Sequence, residues 1–107
     1  VASRPETVER VLAALVAAGD VRHKRMFGEV GLYLGDRFVG MVADDQLFFK
    51  ITPGSRPMLD ASHDAPPYPG ASPHLCVPEA HWRDLAWMAA LMQAVAADVP
   101  PPKPKKK

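Results

Sequence analysis

The sequence predicts an α+β fold of two layers, an antiparallel sheet with helices on one face. Three observations predict it. A one-sided helical stripe opens the chain, a run of period-two hydrophobicity cut by closely spaced turn pairs comes next, and an almost wholly apolar helix comes last. Helix, hairpins and helix then share one core, which 107 residues have room to build.

Ser3-Arg4-Pro5-Glu6 has the form of a capping box, a hydroxyl at the N-cap and a carboxylate three residues on. Pro5 costs little there, because an N–H in the first turn has no helical partner anyway. Val8, Val11, Leu12, Leu15 and Val16 recur at helical spacing until Gly19-Asp20 stops them, which predicts a helix over residues 4–18. From Val21 to Ile51 the period becomes two. Strands are expected over 21–26, 30–34, 37–43 and 46–51, joined at Gly35-Asp36 and Asp44-Asp45 in a meander of hairpins.

Thr52-Pro53 reads as a cap and first helical residue, and Pro57 restricts this helix to a short one over 53–62. Pro66, Pro67, Pro69, Gly70 and Pro73 make 65–73 a loop with at most a scrap of strand at Tyr68. Residues 74–77 suit an edge strand between Pro73 and Pro78. The last helix is expected over 78–97. Between Leu85 and Ala97 its one polar residue is Gln93, so nearly every side must be covered. Leu85, Met88, Met92 and Val95 can face the sheet. Trp87, Leu91 and Ala94 are left for self-association, which predicts a homodimer, with partial coverage by the first helix as the competing intramolecular account.

Composition excludes several roles. The fractions of hydrophobic (48%) and charged (23%) residues are those of a folded globular chain. No run of apolar residues is long enough for a membrane span, and the first residues lack a signal-peptide layout. A lone cysteine, Cys76, rules out an internal disulfide and fits a cytoplasmic protein. Domain organisation is expected as 1–99 folded and 100–107 a disordered Pro/Lys-rich tail. Lys103, Lys105, Lys106 and Lys107 lie in that tail. Nine other basic residues face twelve acidic ones, so the folded part is about three charges negative. Nucleic-acid binding is therefore expected to be weak, non-specific and confined to the tail lysines.

Lys24-Arg25-Met26-Phe27-Gly28-Glu29-Val30-Gly31-Leu32-Tyr33 resembles the Arg-Met-Phe-Gly-Gly stretch, ending in Gly-aliphatic-Tyr, of the TfoX N-terminal domain family. Val42-Ala43-Asp44-Asp45-Gln46-Leu47-Phe48-Phe49-Lys50 is similar to the next family block, and Val77-Pro78-Glu79 to the start of the family's last helix. Glu29 stands where the family usually has its second glycine, and His74-Leu75 where a pair of aromatics is common. The resemblance implies the order α-β-β-β-α-β-β-α, with an additional short strand allowed in the first sheet block. It also implies a non-enzymatic role in gene regulation beside other transcription factors. The chain reads as a single-domain member, lacking the second helical domain of full-length competence regulators.

Arg25, Met26, Phe27, Gly28 and Tyr33 are the candidate partner-binding residues. A loop showing an aromatic and a cation suits a protein partner such as a transcription factor. The competing reading buries Met26 and Phe27 and leaves Gly28 as a turn. Arg22-His23-Lys24-Arg25 reads as a solvated strand whose side chains alternate faces. His63, His74, Cys76 and His81 lack the spacing of a closed zinc site, so no metal or cofactor is expected. Asp44-Asp45 sit side by side in a turn, where they cannot flank a substrate, and no catalytic motif is present; no enzyme is expected.

Overall fold

The computed structural model describes residues 3–26 (Met26 by its backbone alone) and 29–100. The segment 26–28 and the tail lysines therefore fall, wholly or by their side chains, outside the described residues. Helix α1 (Pro5–Leu15) leads into a 3-10 turn (Val16–Ala18) and then four strands, β1 (Val21–Met26), β2 (Glu29–Leu34), β3 (Arg37–Ala43) and β4 (Gln46–Phe49). After two 3-10 turns come β5 (Asp64–Ala65) and β6 (His74–Val77), a 3-10 segment (Glu79–Arg83) and helix α2 (Leu85–Asp98). All six strands pair antiparallel in the order β1-β2-β3-β4-β6-β5. The predicted α+β class and helix-on-sheet layering hold.

Alternation along the strands decides which side chains meet the helices. Val30 and Leu32 of β2, Val42 of β3, Leu47 and Phe49 of β4, and Leu75 and Val77 of β6 share one core with Val11 and Leu15 of α1 and with α2. The opposite residues form a smaller cluster of Met41, Ala43 and Phe48, against which Phe38, Ala65 and Cys76 pack. An irregularity at Leu32/Tyr33 lets β3 insert Val39 into the main core while keeping Phe38 opposite Tyr33.

The turn pairs act as predicted. Asp44 and Asp45 both take positive φ (50° and 60°), the conformation a two-residue hairpin needs, and Asp tolerates it. Gly35 supplies positive φ (63°) at the β2–β3 turn.

Several local expectations are corrected. The capping box does not form. Arg4 is the N-cap and makes no side-chain cap, while Ser3 Oγ accepts from the Asp45 N–H at 3.0 Å. Asp45 Oδ1 in turn accepts from the Arg4 N–H (2.7 Å) and the Thr7 hydroxyl (2.9 Å). The helix start is thus capped by the β3–β4 turn, a partner distant in sequence. Val16 leaves the stripe because α1 ends at Leu15, and it lies exposed.

The middle helix is two separate 3-10 turns, Arg56–Met58 and Ala61–His63. Thr52 Oγ1 does accept from the Ser55 N–H, but Leu59 is extended (φ −153°, ψ 123°), and Asp60 restarts the chain by accepting from the Ser62 N–H. Pro57 brings no N–H to carry a helix across. The scrap of strand falls at Asp64–Ala65, not at Tyr68.

The final helix is broken at Asp84, whose carboxylate accepts from the Trp87 N–H (3.1 Å) and restarts the chain as α2. Part of the face assigned to self-association is covered within the chain: Leu91 is buried, while Trp87 and Ala94 are half-buried. Leu91 is wholly buried in the main core, where α1 and the turn after it pack along α2. Trp87 stacks on His81 with ring centroids 4.1 Å apart, and Ala94 lies against Gly54. The exposed residues of α2 are Ala86, Ala90, Gln93, Ala97, Asp98 and also Leu85 (46% exposed), which does not face the sheet as expected because it opens the helix at its exposed start. Gln93 also donates to the Ala18 carbonyl (2.9 Å), tying α2 to the turn after α1.

Candidate functional site

β1 ends the sheet, and its sequence Val-Arg-His-Lys-Arg-Met turns four consecutive polar side chains into a long exposed edge. Arg22, His23, Lys24 and Arg25 are all exposed. The pairing with β2 sorts them. Arg22 and Lys24 stand opposite Tyr33 and Gly31 on the face away from the helices, while His23 and Arg25 stand opposite the core residues Leu32 and Val30. Arg22 and Lys24 therefore lie on one side of the edge and His23 and Arg25 on the other, as the alternation of a strand requires.

Beside Arg22 and Lys24 the sheet presents an aromatic pair. Tyr33 and Phe38 are cross-strand neighbours with centroids 5.3 Å apart and planes tilted by 52°. Lys50 Nζ sits 5.0 Å from the Phe38 centroid, a cation–π distance. Arg22, His23, Lys24, Tyr33, Gly35 and Asp36 line a shallow hollow of about 390 Å³. A second hollow of about 280 Å³ lies between Tyr33, Asp36, Phe38, Lys50, Val99 and Pro100, so Tyr33 forms a wall of both. Arg22 is partly neutralised by Asp20 (2.7 Å), whose hydrogen bond and charge also raise the guanidinium pKa further. This arrangement offers cations, an aromatic wall and strand backbone to a binding partner.

Of the sequence candidates, Tyr33 forms a wall of this surface, while Arg25 lies on the same edge strand but on the opposite, helix-side face. Met26 lies at the end of β1 with its side chain outside the described residues, and Phe27 and Gly28 lie outside them entirely. Sequence reasoning missed Phe38 and Lys50 as part of the surface. The signal was present: Tyr33 and Phe38 are placed symmetrically about the Gly35-Asp36 turn, so a two-residue hairpin brings them face to face.

The His/Cys residues are dispersed. His63 and Cys76 line a hollow of about 280 Å³ with Ser62, Asp64, Ala65 and Pro78. His74 Nδ1 bonds the Ser72 carbonyl (2.9 Å), and His81 is stacked on Trp87. Among the described residues no three His, Cys, Asp or Glu side chains gather as metal ligands. Burial pushes the Cys76 thiol pKa up, away from nucleophilic character at neutral pH. Lys103, Lys105, Lys106 and Lys107, the candidate nucleic-acid contacts, lie outside the described residues. No helix among the described residues is long and apolar enough to cross a membrane.

The sequence pattern of the TfoX N-terminal domain matches residues 12–98. The chain belongs to that family. A protein of Spirochaeta aurantia, named as an uncharacterized 12.7 kDa protein in the trpE 5' region, is 33% identical over 86 residues, covering 80% of this chain and 74% of the relative. The TfoX N-terminal match takes in nearly the whole described fold, from within α1 to the end of α2. The basic edge and the Tyr33–Phe38 pair lie inside it.

Proposed function

We propose that this TfoX N-terminal domain is a non-enzymatic regulatory module that binds protein partners, a transcription factor among them, through the surface around β1 and Tyr33. The observation that carries this reading is the exposed edge itself. Four successive polar, mostly cationic side chains border an aromatic pair, a combination of charge and rigid aromatic area that suits binding hot spots. Membership of a family named for a competence regulator supports the regulatory part.

The test is photo-crosslinking in cells of the source organism, with benzoylphenylalanine placed at Tyr33 or, on the far side, at the exposed Ala90 of α2. An adduct to a defined protein from position 33 and none from position 90 is expected, with transcript levels altered by Lys24→Glu. Equal labelling from both positions, or none, would remove the reading.

A further inference from the structure

The two edges of the sheet are finished differently. β5 is only two residues long, and its Asp64 is clamped by Arg56 through two hydrogen bonds of 3.1 and 2.8 Å. β1 has six residues, and among the described residues no strand pairs with its outer side. A long open edge is a template for a further strand, and charge is the usual guard against unwanted pairing.

Register shows which backbone groups point outward. The Gly35 N–H donates to the Asp20 carbonyl at 2.8 Å, just before β1 begins. Antiparallel alternation then turns the N–H and C=O of Arg22 and Lys24 toward β2, and those of His23 and Arg25 away from it. Val21 closes the outward run, since its N–H is bonded to the Gly19 carbonyl (2.9 Å). His23 and Arg25 thus offer a short ladder of donors and acceptors.

We propose that β1 is the docking strand for an extended acidic segment of another protein, which adds beside it as a seventh strand. Its backbone pairs with His23 and Arg25, and its Asp and Glu side chains meet Arg22, Lys24 and Arg25. This rests on the binding-module reading and names the chemistry of the partner. Both faces of the edge carry cationic side chains, so an acidic strand is met on either side of its pleat. A second copy of β1 would set cation against cation, which disfavours self-pairing by the same charges that admit an acidic strand. A polynucleotide fits less well. It has no regular backbone of donors to pair with the outward carbonyls of His23 and Arg25 as a peptide backbone does.

The experiment titrates the isotope-labelled full chain with a short capped peptide of Glu, Thr and Val. The same peptide with Lys for Glu, and an oligothymidylate of similar length, are the comparisons. The acidic peptide should shift the His23 and Arg25 amides and slow their exchange, and should weaken as salt rises. His23→Pro removes an outward N–H and leaves the β1–β2 ladder whole, so it should cost about tenfold in affinity with the β2 amides unmoved. If that variant fails to fold, the double reversal Arg22→Glu/Lys24→Glu, which leaves the backbone alone, should give a loss of at least the same size. Binding that ignores both changes, binding of oligothymidylate at the same amides with equal affinity, or no binding of the acidic peptide overturns the proposal. If the peptide fails while the cross-link from position 33 persists, strand addition is wrong and the module reading stands.

Discussion

Truncating Leu91 to alanine removes a side chain that is wholly buried between α2, α1 and the sheet, in a core shared with Val11, Leu15 and Met88. Fully buried leucines cost about 2–5 kcal/mol on truncation, because the lost transfer energy is joined by the cavity left behind. α1 and the turn after it are held by packing against α2 and by the Gln93–Ala18 bond, so partial collapse onto the gap is available. That argues for the middle of the range, about 3 kcal/mol. A domain of this length has roughly 5–15 kcal/mol in total, so the variant should fold but melt about 10–20 °C lower. Denaturant titration at two protein concentrations a decade apart is the assay. The expected result is a large fall in midpoint that is the same at both concentrations, with Leu91→Lys unfolded outright. The reasoning fails if Leu91→Ala keeps monomer stability and instead lowers the sedimenting mass. Leu91 would then be working between copies of the chain.

Three further outcomes are expected. Gly40→Ala should destabilise by about 3 kcal/mol or more, since a Cβ there would overlap the Phe48 carbonyl oxygen and lie 3.0 Å from Phe49 Cα in the adjacent strand; an unchanged melting temperature would contradict that close approach. Asp45 is held below the usual carboxylate range, first by the Arg4 N–H and then by the Thr7 hydroxyl. Its contribution is therefore present above the unfolded-state value of about pH 4 and lost as pH falls through the lower folded value. Asp45→Asn should thus be less stable than wild type at neutral pH and converge with it in acid, and a gap constant across that range would refute the account. Burial raises the Cys76 thiol pKa, so at neutral pH iodoacetamide should alkylate it more slowly than a cysteine in an unstructured peptide; faster labelling would show a thiolate that this environment does not favour.

The meander is legible in the sequence because its signals are local. Period-two stripes and the pairs Gly35-Asp36 and Asp44-Asp45 dictate hairpins whatever lies around them. The misreadings share a different cause. Ser3 and Glu6 carry a capping signature, yet Ser3 is drawn to the Asp45 N–H, a group more than forty residues away. Asp84 reads as one polar residue before an apolar run, although it is the cap that starts α2. The apolar face around Leu91 looks unpartnered because sequence periodicity records how wide a stripe is, not which element covers it. α1 and its following turn cover it here.

The candidate surface shows the same division. Alternation along β1 is readable, and it correctly sends Arg22 and Lys24 to one face and His23 and Arg25 to the other. That β1 is an outermost strand is not readable, since edge position depends on strand order and not on any residue within the strand. Once the order is known, the basic run changes meaning. In an interior strand His23 and Arg25 would lose their outward backbone groups to a neighbour, and their charges would be only a solvated fringe. At the edge, the same residues combine open donors and acceptors with a positive field and the Tyr33–Phe38 pair one strand in. Position in the sheet thus turns a polar strand into a selective one, closed to its own copy and open to an acidic chain.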